Sequence, residues 1–230
     1  MIYLVTKQTN LQDDTYEIIS VEESLKILES LTIVGLDTET TGLNCHKDKL
    51  LSVQLGCKKF QVVIDCTTID IQEYKSYLES DRVFILWNAK FDLKWLYRYH
   101  IVPKNVYDGF LAEKIMWLGY PIVLTVDMWN NIKCDRYDYF PGDSKKDTEA
   151  HYKLQMNLKK AGEMYLGVEL DKSVRGKIIY LGLTPETIAY SANDVKYLED
   201  IKNCQEKLLK EKGLMLAMSY SNKFILALAY

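Results

Sequence analysis

Residues 31–38, Leu-Thr-Ile-Val-Gly-Leu-Asp-Thr, form a short apolar run that ends in polar and acidic residues just before a turn at Gly42. Such a run suits a buried central strand with an open carboxyl end, and this commits the chain to a sheet. Two more strand-like runs follow, LLSVQLG (Leu50 to Gly56) and FQVVIDC (Phe60 to Cys66), separated only by Cys57-Lys58-Lys59. Three strands joined by connections this short are expected to be largely antiparallel. Beyond them, Ile71 to Leu78 reads as helix, Arg82 to Trp87 as a buried strand, and Phe91 to Tyr99 as helix again. After Pro103 an extended piece around Val106 leads into a helix near Phe110 to Leu118. This order predicts an α/β domain with a mixed sheet.

The later chain is uneven. From Gly119 to Gln155 the pattern is weak, and the polar, aromatic run CDRYDYFPGDSKKD predicts a surface insertion over about 119–157. A helix is expected to start after Thr184, a good N-cap, with Pro185 first and Glu186 opposing the macrodipole. Ile188, Ala192, Val195 and Leu198 would form its buried stripe, and the pattern predicts continuation to Leu209 before Gly213 stops it.

Composition supports one domain with a real core: 230 residues, 48% apolar and 27% charged, which excludes disorder and fibrous folds. With 29 basic and 32 acidic residues the net charge is −3, so the chain does not coat nucleic acid by charge alone, although a local grip stays open. The five cysteines are scattered without zinc-ligand spacing and read as reduced thiols. MIYLVTKQTN has no leader-like pattern and no segment reads as membrane-spanning, so a soluble, cytoplasmic protein is expected.

Three short segments carry candidate chemistry. Asp37 and Glu39, two apart on a strand, place two carboxylates on one face, which is unfavourable unless a proton or cation is shared. A hard divalent ion such as Mg²⁺ or Mn²⁺ would resolve that repulsion, although two acids at a strand end can also simply face water. Trp87-Asn88-Ala89-Lys90-Phe91-Asp92 spans a strand end and a helix start, where α/β sheets tend to place sites; Asp92 also suits the role of an ordinary first-turn acid and Lys90 that of a solvated lysine. Tyr190 and Asp194 share one helix face, so the phenol could hold a water beside a metal ligand, or be half-buried with the acid in solvent.

In order, GLDTETTGL, NAKFDLKWL and YSANDV resemble the three motifs of the DEDD superfamily of 3′–5′ exonucleases, in the subclass whose third motif is Tyr-x-x-x-Asp. The likeness is greatest to the proofreading domain of family A DNA polymerases, and spans roughly Tyr16 to Leu209. LLSVQLG, VYDGFLAEKI and YLGVELDKS add matches between the motifs.

The resemblance implies a ribonuclease H-like α/β fold, a mixed five-stranded sheet flanked by helices. It also implies two divalent metal ions, Mg²⁺ or Mn²⁺, held by Asp37, Glu39, Asp92 and Asp194, with Asp37 shared and Tyr190 orienting the attacking water. Thr38 through its backbone, Leu43 as an apolar wedge, and Asn88, Lys90 and Phe91 take the places of the family's substrate contacts, although Leu43 and Phe91 suit packing roles equally well. The implied substrate is the single-stranded 3′ end of DNA, and the implied partner a polymerase domain in the same or a separate chain. In the insertion, Tyr137, Tyr139 and Phe140 beside Lys145 and Lys146 could stack on and steer a strand, with a solvated loop as the plainer reading. An exoribonuclease of the ribonuclease D type and a catalytically silent nucleic-acid-binding scaffold stay open as alternatives.

Overall fold

The apolar run becomes β3 (Ile33–Thr40), the strand around which the sheet is organised. The structure is a computed structural model that describes residues 1–117, 157–170, 174 and 177–229. β3 pairs antiparallel with β4 (Leu50–Gly56), which pairs antiparallel with β5 (Gln61–Asp65), as the short connections predict. On its other edge β3 runs parallel to β6 (Val83–Leu86), and β6 runs parallel to β7 (Asn105–Asp108).

The sheet has seven strands rather than the five expected, in the order β2-β1-β5-β4-β3-β6-β7. The additional pair is N-terminal: β1 (Ile2–Val5) lies parallel to β5, and the two-residue β2 (Glu17–Ile18) lies parallel to β1. Isoleucine-tyrosine-leucine-valine is too short a run for its periodicity to declare a strand. What recruits it is the edge of β5, whose backbone groups would otherwise lack partners.

Helices cover both faces. On the side of Val34 and Leu36 lie α1 (Val21–Leu28), a 3₁₀ turn (Ile71–Tyr74) running into α2 (Lys75–Leu78), and α3 (Ala89–Arg98). α1 starts at a Ser20–Glu23 capping box. The opposite side carries α4 (Gly109–Trp117), α5 (Leu158–Leu166), the single-turn α6 (Ile178–Leu181), α7 (Pro185–Lys196) and α8 (Leu198–Glu211). α9 (Met215–Ala229) packs on α3, α4 and β7. Among the described residues no helix is long and apolar enough to cross a membrane, and the cysteines among them are unpaired. The proposed insertion and its Tyr137, Tyr139, Phe140, Lys145 and Lys146 fall outside the described residues.

α7 begins as expected: Thr184 Oγ1 accepts from the Thr187 amide at 3.2 Å, and Pro185 follows. The single helix expected to reach Leu209 is broken, however, at Tyr197 (φ −110°, ψ 2°). Leu198 and Ile201 keep the helical spacing, so the sequence carries no sign of a break. Its cause is tertiary: α7 packs along β3, β4 and β5, whereas α8 turns to pack on α4 and α5. α7 also comes unusually close to the sheet. A Cβ at Gly35 would sit 2.6 Å from the Val195 carbonyl oxygen, so only glycine permits this approach.

Candidate active site

Strand alternation divides the end of β3 between the two faces. Asp37 and Glu39 point to the α7 side, while Thr38 points to the α3 side, where its hydroxyl donates to Asp92 Oδ1 at 2.6 Å. The register shifts between Glu39 and Thr40, a bulge-like irregularity of the sort found beside sites. Because Gly35 lets α7 approach, Asp194 is carried to the same place. Asp37, Glu39 and Asp194 each present a carboxylate oxygen such that all lie within 4.8 Å of one another. Glu39 is 9% and Asp194 7% exposed while Asp37 is half-buried, so the three acids crowd together at a largely shielded strand end. Such crowding suits a divalent cation with oxygen ligands, and the donor set is of the hard kind that Mg²⁺ and Mn²⁺ prefer.

Asp92 stands outside that set of three. It is 2% exposed, and burial pushes its pKa up; the Thr38 hydrogen bond works against the rise and nearby Asp108 adds to it. Tyr190 is buried one turn before Asp194 on α7, so phenol and acid share a helix face as their spacing required. Of the remaining expected contacts, Leu43 is 87% exposed at the loop after β3, Asn88 and Lys90 are exposed at the start of α3, and Thr38 is buried. Phe91 is half-buried and packs on Trp95, ring centroids 6.4 Å apart, which fits a packing role.

Two features of the site went unread in the sequence. Asp108, at the end of β7, accepts from the backbone amides of Asn88 and Ala89 (both 3.0 Å), Phe110 (3.0 Å) and Leu111 (3.3 Å). One buried acid thus anchors the starts of α3 and α4, and it holds Asn88 in the left-handed region at φ 69°. Burial nevertheless raises the Asp108 pKa. The second feature is on β4: Gln54 lies directly across from Asp37, and Ser52 from Glu39. Gln54 is fully buried and its amide donates to Ser52 Oγ at 2.7 Å, while its Oε1 has no hydrogen-bond partner among the described residues. A serine and a glutamine two apart in LLSVQLG were the available signal, since alternation puts both on one face.

Residues 16–210 match the model of a family described as 3′–5′ exonuclease. The chain belongs to this 3′–5′ exonuclease family. DNA polymerase I of Aquifex aeolicus is 38% identical over 100 residues, which cover 44% of this chain and 16% of that polymerase, so the match spans a small part of the curated relative. Among solved structures, Brucella melitensis NrnC with bound Mg²⁺ superposes with a TM-score of 0.63 at 20% identity, covering 99% of this chain and 91% of that one. Escherichia coli RNase D gives a TM-score of 0.68 at 18% identity, covering 96% of this chain and 51% of that one. These likenesses establish the ribonuclease H-like fold. The chain thus carries a domain of the 3′–5′ exonuclease family with a carboxylate cluster at the end of strand β3.

Proposed function

We propose that this exonuclease removes nucleoside 5′-monophosphates from the single-stranded 3′ ends of DNA and proofreads for a family A DNA polymerase, in the same or a separate chain. The observation that carries the reading is the convergence of Asp37, Glu39 and Asp194 within 4.8 Å, from elements far apart in sequence. The identity with a DNA polymerase I supports DNA as the substrate.

In this proposal Asp37, Glu39, Asp92 and Asp194 would hold two divalent cations, Mg²⁺ or Mn²⁺. When bound, such ions lower the pKa of a water and neutralise charge on a departing oxygen. Tyr190 hydrogen-bonds the attacking water and aims it at phosphorus, in line with the 3′ oxygen that leaves. Leu43 lies against the terminal base, the Thr38 backbone contacts the terminal nucleotide, and Asn88, Lys90 and Phe91 steady the strand. The pair of carboxylates on β3 and the acid on α7 are built on rigid elements, which suits a site that must hold charge in place before substrate arrives.

A second reading, an exoribonuclease, is favoured by one observation: RNase D, an exoribonuclease, superposes on 96% of this chain, with 51% of its own length matched. A time course with 5′-labelled single-stranded DNA and the matching RNA, in Mg²⁺, Mn²⁺ and chelator, separates the two. A metal-dependent ladder shortening from the 3′ end of DNA is expected. The same ladder on RNA alone would replace the proofreading reading with the ribonuclease one, and strand binding without cleavage of either would leave a silent scaffold.

A further inference from the structure

Gln54, in the middle of β4, is fully buried, and its amide nitrogen donates to Ser52 Oγ at 2.7 Å. The carbonyl end of the same amide, Oε1, has no partner. Among the described residues it is the one buried side-chain nitrogen or oxygen in that condition. Gln205 shows the usual arrangement: also fully buried, it accepts from the Tyr107 hydroxyl at 3.1 Å and donates to the Gly109 carbonyl at 2.9 Å and to Glu113 at 2.7 Å. An orphaned acceptor weakens a fold, and leucine or methionine would fill the same volume without that cost.

The neighbours of Gln54 supply no hydrogen for Oε1. On the sheet face that α7 covers, Asp37 lies directly across on β3 and Val63 directly across on β5. Valine has no polar side-chain atom, and an ionised aspartate offers only acceptors. The buried hydroxyls of α7 are engaged near their own helix start, Ser191 with the Thr187 carbonyl at 2.8 Å and Thr187 with the Gly182 and Thr184 carbonyls at 3.0 and 3.1 Å. Gln54 thus adds one more acceptor beside a cluster composed of acceptors, Asp37, Glu39 and Asp194. Such a gathering suits a species that presents hydrogens on its outside. A hydrated divalent cation is one: each water turns its oxygen to the ion and its hydrogens outward, and Mg²⁺ keeps several of its waters when it binds.

We propose that Gln54 is a positioning residue for the cation: Oε1 accepts a hydrogen from a water in the hydration shell of a divalent ion held by Asp37, Glu39 and Asp194, and the bond to Ser52 keeps the amide in place for it. The inference rests on the reading that these acids hold a cation. It gives β4 a part in the site beside β3 and α7. Gln54 acts on how tightly the ion is held, in the way that hydrogen bonds around metal ligands tune affinity. Tyr190, by contrast, is assigned to the attack itself. A solitary buried water would also satisfy Oε1, but it would do so with or without an ion, and that difference can be measured.

The test is calorimetric titration of Mn²⁺ into protein stripped with chelator, with a melting curve in chelator for each variant. Gln54→Met, which keeps the length of the side chain and removes its oxygen, should lower Mn²⁺ affinity about tenfold or more and melt in chelator at or above the wild-type temperature. Gln54→Glu, which keeps an oxygen at that position, should bind Mn²⁺ no more weakly than the wild type. Saturating Mn²⁺ should restore cleavage by Gln54→Met, whereas Tyr190→Phe should stay slow. An unchanged affinity in Gln54→Met overturns the proposal, and so does a loss that Gln54→Glu fails to repair. If Gln54→Met does not fold, Ser52→Ala decides: freeing the amide should weaken Mn²⁺ binding, and an unchanged affinity overturns the proposal. Wild type and Asp37→Ala binding Mn²⁺ alike, or neither binding it, would remove the reading of the acids themselves. Wild type binding where Asp37→Ala does not, with Gln54→Met as tight as wild type, would remove only the part given to Gln54.

Discussion

The molecule holds two kinds of buried acid, and they differ in what surrounds them. Asp65, at the end of β5, is fully buried and accepts from Thr6 Oγ1 (2.6 Å), Thr67 Oγ1 (2.6 Å), Thr68 Oγ1 (2.8 Å) and Gln8 Nε2 (2.9 Å). Burial opposes its ionisation, but those hydrogen bonds outweigh burial and hold its pKa below the usual carboxylate range. Asp37, Glu39 and Asp194, at the end of β3, are instead brought within 4.8 Å of one another. The first arrangement ties a corner of the sheet together. The second brings like charges close together, a repulsion that a shared cation would relieve.

Mutation should separate the two kinds cleanly. Asp37→Ala and Asp194→Ala are expected to abolish metal-dependent cleavage and leave the melting temperature unchanged or raised, because repulsion is relieved. Mn²⁺ at a hundred times its dissociation constant should stabilise the wild type by about 2.7 kcal/mol and these variants by far less. Unfolding of both variants would break the contrast, since it would make these acids structural. Tyr190→Phe should slow cleavage about a hundredfold while the stabilisation by Mn²⁺ persists, as only the hydrogen bond to water is lost. An unchanged rate would take Tyr190 out of the mechanism.

Asp65→Ala should do the reverse, costing about 3 kcal/mol of stability in urea denaturation because several buried donors lose their acceptor. Cleavage per folded molecule should be retained. The smallest effect is one of pH. Since the folded-state pKa of Asp65 is lowered, its contribution is complete above its unfolded value of about 3.9 and is lost as pH falls through the folded value. Asp65→Asn should therefore flatten the acid side of the stability profile. A profile identical to wild type would show that Asp65 does not carry that decline.

How much of this was legible beforehand follows the range of the forces involved. β3, β4, β5 and β6 could be read because their apolar runs are long enough to declare themselves, and Thr184-Pro185 because capping is local. β1 and β2 could not be read, since short runs acquire strand character only from the edge they pair with. The break at Tyr197 left no trace, because the periodicity of α7 and α8 is continuous and only their different packing partners separate them. Within the site, the spacing of Asp37 with Glu39 and of Tyr190 with Asp194 fixed which side chains share a face. Asp108 was invisible because its partners are backbone amides, which every sequence possesses.

The sequence by itself therefore determined the kind of fold, the two acids on one strand face and the tyrosine and acid on one helix face, since all of these depend on contacts a few residues apart. Tertiary structure alone decided that α7 would lie close enough over Gly35 to bring Asp194 to Asp37 and Glu39, and that Asp92 would turn to Thr38 on the other side of the strand. The physical reason is that periodicity fixes the direction of a side chain within its own element. The distance between side chains on different elements is set by how those elements pack.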